Sequence, residues 1–141
     1  VIEQLRQVLP WRPGALELLL ELKQAGIKTA LVTMSMRRMA LAVAESIPFA
    51  AFDVVIAGDD VRYGKPHPEP YLTAAAKLEV APSECIAFED SVTGLNSAAA
   101  AGTHAIGVRN LVELPGGDDR RIIDTLVGLS ATNLYELRIH E

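Results

Sequence analysis

The sequence predicts an α/β fold built on a mainly parallel sheet, and three observations point there. Short apolar runs, "KTALV", "DVVIA", "CIAF" and "HAIGV", alternate with longer stretches whose apolar residues fall three to four apart. Gly26, Pro48 and Gly102 close three of those longer stretches. Polar residues follow directly on the apolar runs: Thr33, then Gly58-Asp59-Asp60, then Glu89-Asp90. A strand buried on both faces reads as a continuous apolar run, and helical spacing between such runs supplies right-handed crossovers. In open sheets of this kind ligands sit beyond the carboxyl ends of the strands, which is where those polar residues fall.

The elements follow in order. Pro13 and Gly14 open a helix over Ala15–Gln24, with Leu16, Leu19, Leu20 and Lys23 in helical spacing and Gly26 as the stop. Lys28–Val32 is the first strand, ended by Thr33, and residues 36–46 form a helix with Ala and Met faces. Asp53–Ala57 is the second strand, and the polar loop "GDDVRYGKPHPEP" leaves it. Pro70–Leu78 is a helix whose apolar face is Tyr71, Ala74, Ala75 and Leu78. Cys85–Phe88 is the third strand; Ser91 caps an Ala-rich helix that ends at Gly102, and His104–Val108 is the fourth strand. The tail reads as a helix near Asp118–Leu126 and a short piece around Leu134–Leu137.

The bulk numbers bound the function. The chain has 141 residues, half of them hydrophobic and 22% charged, which suits one globular domain. A net charge of −5 argues against a nucleic-acid partner, since phosphate backbones need clustered Lys and Arg. Arg37-Arg38 and Arg120-Arg121 read as solvated helix faces. No apolar run approaches the ~18 residues that a membrane span needs, and no signal peptide is visible. Cys85 is the single cysteine, expected as a small buried hydrophobe; with no disulfide available inside the chain, the expected compartment is cytoplasmic.

The polar residues suggest a phosphate and metal site. Thr33 offers a hydroxyl, and the amides of Met34 and Ser35 would face outward at a helix start that suits anions; an ordinary helix cap explains them as well. Lys65 sits before Pro66 in "GKPHPEP", whose prolines stiffen the loop, although a solvated lysine fits too. Glu89 and Asp90 close a buried strand side by side. Their repulsion is relieved by a hard cation such as Mg²⁺, or by a strand end open to water. His67, His104 and His140 show no metal-ligand spacing.

"ALVTMS", "GKPHPEPYL" and "CIAFEDSVTGLNSAAAAG" resemble the second, third and fourth signature motifs of the haloacid dehalogenase superfamily, in the branch holding β-phosphoglucomutase and phosphoglycolate phosphatases. The order and spacing match over about residues 10–110. The resemblance implies a Rossmann-like three-layer sandwich. It implies that Thr33, with the Met34 and Ser35 amides, binds the transferring phosphoryl group, that Lys65 steadies it, and that Asp90 and Glu89 hold Mg²⁺. The implied reaction is phosphatase or phosphomutase chemistry on a small phosphorylated metabolite, such as a sugar phosphate, through an aspartyl-phosphate.

One family feature is missing. Members begin with a strand ending in Asp-x-Asp, which supplies the nucleophile, and no such motif occurs here. Asp59-Asp60 are adjacent and follow a different strand. Residues 1–12 resemble the end of a cap helix and its return linker, ahead of a single core domain over 1–141. The nucleophile strand is expected between the strands at 28–32 and 85–88, whose edges its absence would leave bare. An inactive remnant that binds phosphate or a cation is the alternative. A receiver-like domain is disfavoured because Thr33 precedes every candidate acid, and no Gly-x-Gly-x-x-Gly supports a dinucleotide site.

Overall fold

The computed structural model describes residues 12–140. The expected cap-helix remnant therefore lies outside the described residues except for Arg12. In chain order the elements are α1 (Ala15–Gln24), β1 (Ala30–Val32), α2 (Arg37–Glu45), β2 (Val54–Ile56), α3 (Glu69–Leu78), β3 (Ile86–Glu89), α4 (Val92–Ala100), β4 (His104–Val108) and β5 (Arg120–Ile123). Short 3₁₀ turns cover Gly58–Asp60, Pro82–Glu84 and Asn133–Leu137.

Every strand pair is parallel. β1 pairs with β2, in register Val32 to Ile56. β3 pairs with β4 and β4 with β5, with Phe88 opposite Ile106 and Ile106 opposite Arg121. Among the described residues, no strand pairing joins β1 to β3, so the sheet stands in two pieces, β1-β2 and β3-β4-β5. The break falls where the family resemblance places the nucleophile strand.

Helices cover both faces. Ala87 of β3 and Ala105 of β4 face Tyr71 of α3 and Leu95, Ala98 and Ala101 beside them in one apolar cluster, which Val32 of β1 also joins. Ile86 and Phe88, one residue out of phase, pack instead with Leu18 and Leu22 of α1 and with Leu126 and Leu134. The period of two along β3 thus feeds two cores and gives three layers. β4 is buried at all five positions, as a central strand should be.

β1 and β2 begin later than the apolar runs suggest, and side chains tie down their entries. Lys28 Nζ donates to Leu78 O at 2.9 Å, Thr29 Oγ1 donates to Ala51 O at 2.5 Å, and Asp53 Oδ2 accepts from Thr29 N at 2.8 Å.

Two expectations are corrected. The tail helix at 118–126 is instead the strand β5. Ile122 packs on the α3–α4 side and Ile123 on the α1 side, which is strand alternation. Two apolar residues between charges carry too little pattern to tell strand from helix, and the open edge of β4 decides. Cys85 is half-buried and precedes β3, with Sγ 3.5 Å from Ala81 O. Burial, then the neighbouring Glu84 charge, pushes its thiol up, which disfavours the reactive thiolate.

Candidate active site

Thr33 ends β1, where its amide donates to Ile56 O at 2.9 Å. Its Oγ1 accepts from Ser35 N at 3.2 Å, so hydroxyl and amide are already paired with each other. Met34 and Ser35 lie in a bend ahead of α2, not in its first turn, which begins at Arg37. The amide of Arg37 donates to Asp59 Oδ1 at 2.8 Å, so a carboxylate of this chain sits at the start of α2. Asp60 accepts from Ala57 N at 2.8 Å and from Arg37 Nη1 at 2.5 Å. These two acids hold the loop after β2 together. Gly58 allows that loop to close: a β-carbon there would lie 2.4 Å from Met34 O.

The loop 61–69 is braced from inside. Glu69 accepts from the amides of Arg62 and Tyr63 at 2.7 and 3.1 Å, and His67 Nδ1 accepts from Glu69 N at 3.0 Å. Ser97 Oγ donates to His67 O at 2.7 Å, tying the loop to α4. The Lys65–Pro66 bond is cis. Lys65 N donates to Met34 Sδ at 3.3 Å, which joins this loop to the bend after β1.

Lys65 is the centre of the arrangement. Its Nζ donates to Val32 O at 2.9 Å, at the end of β1, and to Glu89 Oε2 at 2.5 Å, at the end of β3. It bridges the two pieces of the sheet at their carboxyl ends. The two side chains keep only 11% and 9% of their surface exposed, so this ion pair is nearly dry and weakly screened. The charge that offsets Glu89 is thus an ammonium of the same chain. The Tyr71 hydroxyl also donates to Glu89 Oε2, and Lys65 Nζ stands 5.4 Å from the Tyr71 ring centroid. Burial, and then the Glu89 charge and its hydrogen bond, push the Tyr71 phenol well above its ordinary range, so it stays a donor.

Asp90 points elsewhere. Its Oδ2 accepts from Asn110 Nδ2 at 3.3 Å, and Arg12 Nη1 donates to Asn110 Oδ1 at 3.1 Å. Ser91 caps α4 as expected, its Oγ accepting from Gly94 N at 3.1 Å.

Lys65 thus joins Met34, beside Thr33 and Ser35 after β1, to Glu89 at the end of β3, whereas Asp90, next along the chain, turns to Asn110. Three participants escaped sequence reasoning. Tyr71 looked like one face of an amphipathic helix, and Gly94 lay inside the Ala-rich helix. Asn110 follows the carboxyl end of β4, the rule that flagged the others. Among the described residues, no group of three His, Cys, Asp or Glu side chains could hold a metal ion. The acidic pair at the end of β3 supplies two oxygen-donor side chains, and Glu89 is committed to Lys65 and Tyr71. Two surface depressions, of about 150 and 300 Å³, lie beside Lys28–Asp53 and Leu41–Phe52 and touch none of these residues. No helix among the described residues is long and apolar enough to cross a membrane.

Comparison with known proteins gives the family. Residues 2–102 match a haloacid dehalogenase-like hydrolase family. Hexitol phosphatase A of Escherichia coli is 39% identical over 103 residues, 73% of this chain and 48% of the relative. Beta-phosphoglucomutase of Bacillus subtilis is 34% identical over 137 residues, 92% of this chain and 58% of the relative. The crystal structure of CbbY from Rhodobacter sphaeroides in complex with phosphate superposes with a TM-score of 0.78 at 34% identity, covering 88% of this chain and 58% of that one. The chain thus spans about half the length of the curated relatives it matches. The chain belongs to the haloacid dehalogenase-like hydrolase family.

Proposed function

We propose that this chain is the core of a phosphoryl-transfer hydrolase, a phosphatase or phosphomutase acting on a small phosphorylated metabolite of the sugar-phosphate class. The observation that carries the reading is the placement of Lys65, held between Val32 O and Glu89 next to Thr33. A nearly dry ammonium fixed at the ends of two strands can stabilise charge on a phosphoryl group without reorganising. The names of the matched phosphatases and of the phosphate-bound CbbY structure support the substrate class.

Each residue then has a task. The Thr33 hydroxyl and the Met34 and Ser35 amides bind phosphoryl oxygens, the hydroxyl turning from Ser35 N to the incoming anion. Lys65 draws one oxygen towards the gap between β1 and β3. The reaction runs through an aspartyl-phosphate whose nucleophile is supplied from outside residues 1–141. Asp90 would hold Mg²⁺, with Glu89, already bonded to Lys65 and Tyr71, beside it. The donor set fits a hard cation, which takes one or two carboxylates together with waters and phosphate oxygens. Asp90 is the better placed of the two, because its hydrogen bond is to a neutral amide. When bound, the metal supplies further neutralisation of phosphoryl charge. The single cysteine suits a reducing, cytoplasmic setting.

The test is hydrolysis of p-nitrophenyl phosphate and of a sugar-phosphate panel with Mg²⁺, on this chain and on an N-terminally extended form. Turnover by the extended form is the expected result. Inactivity of both on every ester would overturn the reading.

A further inference from the structure

Tyr71 raises a question of its own. It is 9% exposed and belongs to the apolar cluster with Ala87, Leu95 and Ala98. A phenylalanine would fill that space and leave no buried hydroxyl in need of a partner. The hydroxyl instead donates to Glu89 Oε2, the same oxygen that accepts from Lys65. The ring face stands 5.4 Å from the ammonium. One aromatic side chain on α3 therefore touches both members of the ion pair that bridges β1 and β3.

We infer that Tyr71 is a positioning residue, whose hydroxyl and ring face together fix the Lys65–Glu89 pair at the carboxyl ends of β1 and β3. Two donors on one oxygen restrain the Glu89 carboxylate from turning, and the ring face attracts the ammonium. Without the hydroxyl, Glu89 can rotate, and Lys65 follows it or is left on Val32 O alone. The consequence for turnover rests on the phosphoryl-transfer reading; the restraint on Lys65 does not.

The experiment uses Tyr71→Phe in the N-terminally extended protein, with two readouts. The first is inhibition of p-nitrophenyl phosphate hydrolysis by inorganic phosphate, in the parent and in a Lys65→Met background. Tyr71→Phe is expected to weaken inhibition about tenfold, the scale of one charge-assisted hydrogen bond. It should change nothing further once Lys65 is gone, whereas a merely structural role would lower activity alike in both backgrounds. The second readout is hydrogen exchange of the Lys65 ammonium by ¹⁵N NMR, expected to quicken at least several-fold in Tyr71→Phe. Unchanged inhibition together with unchanged ammonium exchange would overturn the inference. If the parent hydrolyses no ester, the functional reading fails by itself and the exchange measurement alone decides: faster exchange supports the positioning role and equal exchange overturns it.

Discussion

Gly94 of α4 stands directly against the carboxylate of Glu89: a β-carbon at residue 94 would fall 1.9 Å from Oε1 and 2.3 Å from Cδ. No relaxed contact is that short. The carboxylate that holds Lys65 thus occupies the volume that any other residue at 94 would fill.

This relationship reverses the usual effect of replacing a helical glycine. Alanine in a helix interior is ordinarily favoured over glycine by about 0.5–1 kcal/mol. Gly94→Ala is expected instead to destabilise, because Glu89 must leave both Lys65 and Tyr71 to make room. Urea unfolding measures it, and a gain in stability would show that Glu89 relocates at no cost.

Lys65→Met removes the cation from a nearly dry pair and leaves Glu89 with the Tyr71 hydroxyl. Breaking one side of a buried ion pair costs about 3–5 kcal/mol. A loss near the low end is expected, since Tyr71 still donates. Adding Glu89→Gln removes the stranded charge and should recover part of that loss in the double variant. A double variant less stable than Lys65→Met would contradict the pairing.

A different site gives a pH dependence. His104 is buried; its Nδ1 accepts from Ile139 N at 2.9 Å, and its Nε2–H donates to Ser83 O at 2.9 Å. Its ring stacks on His140 at 3.9 Å. Burial, then the His140 charge, lowers its pKa from 6.5; Arg138 lowers it further, while the bond to Ser83 opposes the shift. Protonation would also take the lone pair that Ile139 N–H uses. The unfolded chain therefore binds the proton more readily, and the contribution to stability, full above pH 6.5, falls as pH drops through the lowered value. Asp119, whose carboxyl is lowered from 3.8 chiefly by the Arg120 hydrogen bond, acts only at more acidic pH and is largely exposed. The denaturation midpoint between pH 8 and pH 5 checks this: it should fall below about pH 6.5, and His104→Gln should flatten the fall.

Much of this was legible in the chain. α1 and β4 appear with the bounds that the sequence suggests, because Gly26 stops one and five consecutive buried residues make the other. That Thr33 and Glu89 lie at strand ends was legible too, because polar residues follow directly on the apolar runs there. β5 was not, since its strand state depends on the edge of β4. The Tyr71–Glu89–Gly94 contact was not either. Its members are ordinary core and helix residues along the chain, and only the packing of α3 and α4 on β3 brings them together.

The central claim is that the acids closing β3, together with Lys65 and Thr33, handle a phosphoryl group and a metal. Asp90→Asn tests it most directly, because among the described residues Asp90 accepts from a neutral amide, and its replacement should leave the unfolding midpoint almost unchanged. In the N-terminally extended protein at saturating Mg²⁺, hydrolysis of p-nitrophenyl phosphate by Asp90→Asn is expected to fall by about 10²-fold or more. A rate equal to that of the parent would contradict the account.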